Sequence, residues 1–514
     1  MNINNIEEYR SRHPKLFQFV ETILSKFPSI EHRILGLSSI HSEVNSEAES
    51  VTQKMAQDLK PYKGQLTEYY SLPSKGRSQA DILSDLTTLK KKEDPRWQKG
   101  FASGAVYHGD SKHIDFLNKA YSLHSQSNPL HFDLWPSASK FESEIIGMVA
   151  NMVASMASPN LLNDIAGTVN SGGTESILLA MKTYRDYAKA TRGIENGEII
   201  APVTAHAAFD KAAQYFKIKL RKIPVDSNSR PDLKALKKAI NRKTIVIVGS
   251  APSFPHGAID PIPEMSQLAL TKNIPFHTDA CLGGFVLPFA KKLGASVPDF
   301  GFELPGVTSI SVDTHKYGYA AKGTSVLLYR NKELRHHQFF SITNWPGGMY
   351  FSPTFAGSRP GALSAACWAA LVSMGESGYL AAAKKILKTA DEIKAGIRKI
   401  EGLRIIGEPL FVIAFTSDDY DIYRVMEYLG PKGYSLNGLH RPSAVHIAVT
   451  LRHTQTGFVK QFLKDLNEAV HYVRSNPEDK GEMAPMYGLA ANIPLRSVVD
   501  ILLKRILDAY YQRL

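Results

Sequence analysis

The 514-residue sequence contains few of the features that mark secreted, metal-binding or membrane-spanning proteins. Its two cysteines, Cys281 and Cys367, lack the spacing of a zinc site and are too few for a disulfide framework. No run approaches the roughly 18 apolar residues that a membrane-spanning helix needs. The polar residues 1–8 also lack the basic-then-apolar pattern of a cleaved signal. A soluble, cytoplasmic protein without a metal is therefore expected, and export without a cleaved signal stays open.

Positive charge is in surplus, with a net charge of +12, but it is not arranged as in a nucleic-acid-binding protein. The sequence has no nucleic-acid recognition motif and no basic block beyond residues 90–92, which are expected to face solvent. Contact with an anionic bilayer explains the surplus more simply. Peripheral contact with a membrane is therefore expected, and a nucleic-acid partner is not.

The order of the predicted elements indicates an α/β protein in three parts. Residues 1–100 are helical in pattern, with an amphipathic stripe over 16–27 that favours a core or dimer contact over a membrane surface. Residues 101–370 alternate strands with helices, which predicts a large domain with a mostly parallel sheet covered on both faces. Residues 371–514 are predicted to form a small α+β domain that starts with a long helix.

Seven strands are predicted, five in the central sheet and two in the C-terminal domain. The central strands cover residues 199–203, 244–250, 274–279, 307–312 and 324–329. The C-terminal strands cover residues 410–416 and 444–450, and the long helix covers 379–400.

The most informative stretch is 311–323, because a lysine follows the end of a predicted strand there. Core packing explains Lys316 at such a position poorly. A Schiff-base lysine, held on a rigid element and presented to a carbonyl cofactor, explains it well. This pattern indicates pyridoxal phosphate (PLP), which also needs a phosphate cradle, an acid for its ring nitrogen and a group on its ring face.

Candidates for these three roles precede Lys316 in the chain. Gly173 and Thr174 open an apolar helical run, where the backbone favours a phosphate, although an ordinary capped helix would have the same sequence. Asp279 closes a strand, where open α/β sheets bind ligands, but it could also cap a helix or a turn. His206 could stack on the ring or be a core histidine. Their compatible order along the chain favours a PLP-binding fold.

Over roughly residues 100–490 the sequence resembles the sphingosine-1-phosphate lyases, within the PLP-dependent, group II decarboxylase-like enzymes of fold type I. The matching segments are 103–107, 127–131, 168–178, 205–213, 254–257, 277–285, 313–319, 356–361 and 367–370. The segments around Tyr107, His131 and Lys322 are particular to the lyases, whereas the cradle and the lysine are shared with decarboxylases. Eukaryotic lyases carry an N-terminal membrane anchor that is not recognised here, so the resemblance is to a soluble, bacterial-type member.

The resemblance implies a homodimer with PLP at the subunit interface. It implies that Lys316 bonds to PLP, that Asp279 pairs with the ring nitrogen and that His206 stacks on the ring. The other cofactor contacts that it implies are Gly173, Thr174, His315 and, from the other subunit, Ser358.

The reaction that the resemblance implies is the retro-aldol cleavage of a phosphorylated long-chain base to a fatty aldehyde and phosphoethanolamine. A base would remove the C3 hydroxyl proton, and the C2–C3 bond would break. The residues expected near the substrate phosphate and the reacting centre are Tyr107, His131, Lys322 and Tyr487. Lys322 and the nearby tyrosines are candidates for the base or the phosphate anchor, and the sequence does not choose between them. Lys322 could instead be a solvated loop lysine, Tyr107 a core tyrosine and His131 a turn histidine.

Two other functions would share part of this pattern. A PLP-dependent amino-acid decarboxylase would use the same cradle, Asp279 and Lys316, but would need neither a substrate phosphate site nor a channel for an apolar tail. The sequence contexts of Tyr107, His131 and Lys322 count against it. A catalytically inert scaffold could keep the fold, but the intact set of cofactor residues counts against that function.

Overall fold

The computed structural model describes residues 59–154, 159–481 and 496–512. The larger compact unit comprises Arg96–Leu439 and Ala444–Ser475. The described residues of the smaller unit are 59–95, 440–443, 476–481 and 496–512. The three-part division predicted from the sequence stays a prediction, and the central sheet lies in the same unit as the α+β region that follows it.

The elements are numbered here in chain order. The helices are α1 (Gln79–Gln98), α2 (Ser111–Leu123), α3 (Pro136–Val153), α4 (Pro159–Asp164), α5 (Gly173–Arg192), α6 (Ala208–Phe216), α7 (Leu233–Ala239), α8 (Ile262–Thr271), α9 (Leu287–Lys292), α10 (Lys332–His336), α11 (Gly361–Ile397), α12 (Ile422–Leu429), α13 (Phe458–Ser475) and α14 (Arg496–Tyr511). The strands are β1 (Ala166–Asn170), β2 (Glu198–Pro202), β3 (Lys219–Ile223), β4 (Thr244–Ser250), β5 (Phe276–Asp279), β6 (Val307–Val312), β7 (Ser325–Tyr329), β8 (Phe340–Ile342), β9 (Tyr350–Ser352), β10 (Leu403–Ile405), β11 (Val412–Ser417), β12 (Asn437–Leu439) and β13 (Ala444–Ala448).

A seven-stranded sheet forms the centre of the larger unit, in the order β1-β7-β6-β5-β4-β2-β3. Strand β7 is antiparallel to both of its neighbours, and the other pairs are parallel. The predicted mostly parallel sheet is therefore confirmed. Because β1 runs in the same direction as β6, strands β1, β4, β5 and β6 all end at one edge, which we call the carboxyl edge. The opposite edge is the amino edge.

Burial of both sheet faces explains why the central strands were recognisable. Strand β4 has the sequence Thr-Ile-Val-Ile-Val-Gly-Ser and is buried at every residue. Such β-branched runs suit parallel strands that are covered on both faces. Helix α5 covers one face with the apolar residues Ile177, Leu179 and Met181, which lie in the same core cluster as β4. It ends at Gly193, whose left-handed backbone (φ 63°) closes the last turn.

Five predicted central strands correspond to β2, β4, β5, β6 and β7, and two strands of the sheet were not predicted. The unpredicted strands are β1 and the edge strand β3. Strand β3 reads Lys-Leu-Arg-Lys-Ile and is largely accessible, so its charges hide the strand pattern. The long helix was predicted to begin at residue 379, but α11 begins at Gly361 and is interrupted at Gly375 (φ 54°, ψ 178°).

The C-terminal region contains a four-stranded antiparallel sheet in the order β10-β11-β13-β12. Its strands β11 and β13 confirm the two strands predicted there. Residues 90–92 lie on α1 and are exposed, as expected. None of the described helices is long and apolar enough to cross a membrane.

Candidate active site

A cavity of about 470 Å³ lies at the carboxyl edge of the central sheet. It is formed by the segments that follow β1, β2, β5 and β6, the places where an open α/β sheet binds ligands. The predicted site residues that line it are Gly173, Thr174, His206, Asp279, His315, Lys316 and Lys322. Residues from distant parts of the chain therefore meet in one space.

The phosphate cradle predicted at Gly173 is the start of α5. No side chain caps this helix end, and its first residues line the cavity. A Cβ at Gly173 would lie 2.6 and 2.7 Å from the two carboxylate oxygens of Asp313 and 2.9 Å from Cys281 Sγ. Only glycine therefore allows this close packing. The uncapped helix start fits a phosphate, because it presents backbone N–H groups and the positive end of the helix dipole.

Glu175 fixes the loop that precedes the cradle. Its Oε2 accepts a hydrogen bond from the Ser171 backbone N–H at 2.6 Å, and its Oε1 accepts one from the Phe355 N–H at 3.2 Å. One side chain thus joins the cradle to the segment that leads to Ser358. Glu175 was not among the predicted site residues, although an acid within the first turn of a helix is a common signal for this kind of contact.

Asp279 is the last residue of β5, and two hydrogen bonds fix its side chain. Its Oδ1 accepts hydrogen bonds from the Cys281 N–H at 3.1 Å and from the Ser311 hydroxyl at 3.4 Å. The residue is 7% exposed and lines the cavity. A buried carboxylate in this position can hold a proton on a ring nitrogen.

His206 follows β2 and lies on the wall of the same cavity. Its Nδ1 accepts a hydrogen bond from the Ala208 N–H at 3.1 Å, which leaves the proton on Nε2. Its ring packs edge-on against Phe254, with 6.0 Å between the ring centroids. Phe254 also lines the cavity and was not among the predicted site residues. The histidine ring is therefore oriented from two sides, as a group that stacks on a planar cofactor must be.

Lys316 lies in the turn after β6 and is bonded to a buried carboxylate. Its Nζ is 2.8 Å from Asp313 Oδ2, and the Asp313 side chain is 1% exposed. Burial lowers the pKa of Lys316, but the charge of Asp313, the hydrogen bond to it and the nearby Cys281 and Tyr107 together outweigh burial and raise that pKa above its usual range. Burial likewise raises the pKa of Asp313, and Lys316, His315 and a hydrogen bond from Ser325 together outweigh it and lower that pKa. The two side chains therefore stabilise each other in their charged forms.

His315 is held by the strand that follows it. Its Nδ1 lies 2.6 Å from the carbonyl oxygen of Thr324, so Nδ1–H donates and Nε2 carries no proton. Burial lowers the pKa of His315 and keeps the ring neutral. This predicted cofactor contact therefore lines the cavity as a neutral, oriented side chain.

Tyr107 and Lys322 form a second group beside the lysine. The Nζ of Lys322 lies 4.8 Å from the centre of the Tyr107 ring, which packs edge-on against Tyr317. Burial raises the pKa of Tyr107 to about 12, so its hydroxyl keeps its proton at neutral pH. Partial burial and the nearby Lys316 lower the pKa of Lys322. Since Lys322 has no salt bridge with any described residue, its Nζ is available to a ligand that enters the cavity.

Two predicted site residues lie on the surface of this chain. The side chains of His131 and Ser358 are exposed and do not line the cavity. They lie near one another, because the backbone oxygen of Asn128 accepts from the His131 N–H at 2.9 Å and the Asn128 side-chain amide donates to Ser358 Oγ at 3.1 Å. Tyr487, the remaining predicted residue, lies outside the described residues.

The cavity residues together fit PLP. The start of α5 suits its phosphate, Asp279 suits its ring nitrogen, and Lys316 suits its aldehyde. Asp313 was not among the predicted site residues, although it lies three residues before the lysine and directly after a buried strand. An acid at that spacing could have been recognised as a partner for the lysine.

Comparison with known proteins shows the family to which this chain is similar. The pyridoxal-dependent decarboxylase conserved domain matches residues 70–416. The chain is 46% identical to the sphingosine-1-phosphate lyase of Arabidopsis thaliana over 501 residues, which are 96% of this chain and 89% of that protein. Among solved structures, it is similar to the sphingosine-1-phosphate lyase of Burkholderia pseudomallei, with a TM-score of 0.81 and 40% identity. That match covers 88% of this chain and 99% of the other.

A structural neighbour of much lower sequence identity has a similar fold. Glutamate decarboxylase of Lactobacillus brevis has a TM-score of 0.67 but only 19% identity, over 79% of this chain and 95% of the other. At that identity the likeness concerns the fold alone.

Proposed function

This chain belongs to the sphingosine-1-phosphate lyase family of PLP-dependent enzymes, and we propose that it cleaves sphingosine 1-phosphate and related long-chain base phosphates. The products would be a fatty aldehyde and phosphoethanolamine. The observation that carries this proposal is that one cavity contains the PLP lysine and a second lysine. The start of α5 suits the cofactor phosphate, which leaves Lys322 for the phosphate of a substrate.

Each residue has a defined task in this reaction. When bound, PLP supplies the electron sink that accepts the charge left on C2 as the C2–C3 bond breaks. Asp279 keeps the proton on the ring nitrogen, and His206 holds the plane of the ring. Lys316 gives way to the substrate amine and then moves protons. Lys322 binds the substrate phosphate, and Tyr107 positions the lysine with its ring face.

An amino-acid decarboxylase is the less supported alternative. Its substrate would present a carboxylate to the cavity but no phosphate, so it would give Lys322 no comparable ligand. The relatives with the same fold and decarboxylase names are also far less similar to this chain than the lyases are.

Turnover of sphingosine 1-phosphate by purified wild type, Lys316→Ala and Lys332→Ala tests the proposal. Both products should form with wild type and with Lys332→Ala, which alters an exposed lysine outside the cavity. Neither product should form with Lys316→Ala, and the visible absorption of lysine-bound PLP should be lost. A wild type that shows this absorption but releases carbon dioxide from amino acids instead would establish the decarboxylase. Unchanged turnover by Lys316→Ala would refute the role of the lysine.

We also propose that the active form is a homodimer in which each chain supplies His131 and Ser358 to its partner's cavity. Both side chains are exposed in the single chain, and exposed apolar side chains surround them in sequence. Such a patch is typical of a surface that another protein covers. The apolar side chains are Phe132, Leu134, Trp345, Met349, Phe351 and Phe355, and they are 51–81% exposed.

Mixing two inactive variants tests whether His131 acts across subunits. In a mixed dimer of His131→Ala and Lys316→Ala, one site would contain an intact Lys316 and the partner subunit's His131. Random reassociation through a symmetric interface should then recover about a quarter of wild-type turnover. If both residues act within one chain, no mixture recovers activity. The control is each variant alone, unfolded and reassociated in the same way.

Two further expectations stay predictions. Peripheral membrane contact is supported by the net charge of +12, and the amphipathic stripe predicted over residues 16–27 lies outside the described residues. A cytoplasmic location is supported by two free thiols, Cys281 and Cys367, which are both buried.

A further inference from the structure

The carboxylate of Asp313 pairs with Lys316 but has no role in the proposed function. The Nζ–Oδ2 distance is 2.8 Å, and the two side chains are 21% and 1% exposed. A carboxylate so far from water keeps its charge only if a cation stays beside it. The pair therefore constrains both the place and the charge of the lysine nitrogen.

Packing holds Asp313 in this position from the cradle side. Asp313 directly follows β6, and both of its oxygens lie within 2.7 Å of where a Cβ on Gly173 would be. The start of α5 therefore rests against the carboxylate, and the helix dipole favours negative charge there. Any movement of Asp313 away from Lys316 would disturb the phosphate cradle. Asp313 thus links the two parts of the site that must act on the same cofactor.

Lys322, the second lysine that lines the cavity, lacks such a carboxylate partner. Lys322 has no salt bridge in the described part of the chain, and its Nζ lies over the Tyr107 ring. The two lysines share one cavity, but only Lys316 has a carboxylate. Their pKa values consequently move apart, upward for Lys316 and downward for Lys322. In active sites, such divergence separates an acid from other roles.

We propose that Asp313 is a positioning residue that holds the Lys316 nitrogen in the cavity as a cation. The consequence of this inference rests on the proposed function. The incoming substrate ammonium would leave its surplus proton on the displaced lysine. The lysine would later return one N–H proton to C2 after the C2–C3 bond has broken, which forms the C2–H bond and leaves a neutral amine that can bond to the cofactor again. Lys316 would therefore act as the acid, and another group would take the C3 hydroxyl proton.

The test is a pH titration of the visible absorption of bound PLP, which needs no substrate. It compares wild-type holoenzyme with Asp313→Asn, which keeps the size of the side chain against Gly173 but removes its charge. The matched control is Asp260→Asn. Asp260 is also a buried carboxyl at the carboxyl edge, but it accepts from the Ser250 N–H at 2.7 Å and has no bond to Lys316.

Removal of the negative charge of Asp313 makes protonation of the Lys316 nitrogen harder. The midpoint of the absorption titration should therefore move to lower pH. A shift of about one to two pH units is expected for Asp313→Asn. The Asp260→Asn midpoint should match that of wild type. An unshifted midpoint in Asp313→Asn, or equal shifts in both variants, would overturn the proposal. Wild type without a visible PLP band would instead contradict the cofactor assignment, so the two failures are distinguishable.

A second measurement answers the same question if Asp313→Asn does not retain PLP. Acetic anhydride labels only neutral amines, so the pH profile of labelling at Lys316 in PLP-free protein reports its charge. Peptide mass spectrometry of wild type and Asp313→Asn, each checked for a folded circular dichroism spectrum, gives the two profiles. A profile displaced to lower pH in the variant supports the proposal, and identical profiles overturn it.

Discussion

The two edges of the central sheet differ in how well their buried polar groups are bonded. At the carboxyl edge, Asn170 Oδ1, Ser250 Oγ and Asp260 Oδ1 are buried and have no hydrogen-bond partner among the described residues. Burial also raises the pKa of Asp260 to about 7, so a carboxyl group there stays partly protonated near neutral pH. Buried polar atoms are usually paired, so this edge carries a cost in stability.

At the amino edge, by comparison, the side chains of Glu198 and Arg330 are well bonded. The Glu198 carboxylate accepts from Asn241 Nδ2 at 2.7 Å and from Arg221 Nη2 at 2.9 Å. Arg330 donates to the carbonyl oxygens of Val307 and Phe302, at 2.7 and 2.9 Å. Among these groups, the unpaired polar atoms therefore lie at the carboxyl edge, where the cavity also lies. Exceptions to complete pairing are expected near functional sites, so this contrast agrees with the position of the cavity.

A large effect on cofactor binding is expected for Gly173→Ala at the carboxyl edge. The new Cβ would lie 2.6 Å from the Asp313 carboxylate, and the overpacking should cost about 1–3 kcal/mol. PLP should then bind roughly ten- to a hundredfold more weakly, as measured by titration of PLP-free protein.

Gly172→Ala is the matched control for that variant. The nearest atom to its new Cβ would be His315 Cε1 at 3.9 Å, which is ordinary contact, and its backbone is extended. PLP affinity close to that of wild type is expected. Equal losses in the two variants would mean that the loop tolerates no side chain at all, and the specific role of the contact with Asp313 would be lost.

An effect of similar size, on turnover rather than on cofactor binding, is expected for Lys322→Ala. Loss of a charged hydrogen bond to the substrate phosphate should cost about 1.5–3 kcal/mol. This corresponds to a fall of roughly ten- to 150-fold in kcat/KM, with the visible PLP band retained. Lys322→Arg keeps the charge and should retain most of the activity. Loss of the band in Lys322→Ala would place the lysine on the cofactor, and an inactive Lys322→Arg would indicate a base rather than an anchor.

The sequence predicted the site residues and strands whose position depends on a local pattern. Asp279 ends one short buried strand and Lys316 lies in the turn after another, so their position at the carboxyl edge could be predicted from strand and residue type alone. The mostly parallel sheet could be predicted for the same reason, because strands such as β4 are continuously apolar.

The sequence did not predict contacts that join distant segments, and it did not predict a strand whose residues are charged. The approach of Gly173 to Asp313 depends on the packing of α5 against the end of β6, which no local pattern records. The edge strand β3 was missed because its charged residues, which suit an exposed edge, lower its apolar signal. His131 and Ser358 are exposed in the single chain, and their proposed place in a partner's cavity depends on an assembly, so a single sequence can give their identity but not their environment.

The smallest effect, at the amino edge, should appear as a pH dependence of stability. Burial raises the pKa of Glu198, but hydrogen bonds from Asn241, Arg221 and Lys219 outweigh it and lower that pKa from 4.5 to about 2. A lowered pKa in the folded state stabilises the protein above pH 4.5, and that contribution is lost as the pH falls from 4.5 towards 2. Glu198→Gln should therefore melt below wild type at pH 7, with a difference that shrinks as the pH is lowered through this window.

The control for that experiment is Asp418→Asn. Asp418 pairs with Arg404 at 2.8 Å, but both side chains are largely exposed, at 73% and 51%. Exposed pairs contribute little to stability because water and salt screen them. Thermal unfolding of the three holoenzymes between pH 7 and pH 3 should thus show a pH-dependent difference for Glu198→Gln and almost none for Asp418→Asn. A constant difference across this range for Glu198→Gln would mean that its bonds at the amino edge do not stabilise the charged carboxylate, and the contrast between the two edges would then rest on the carboxyl edge alone.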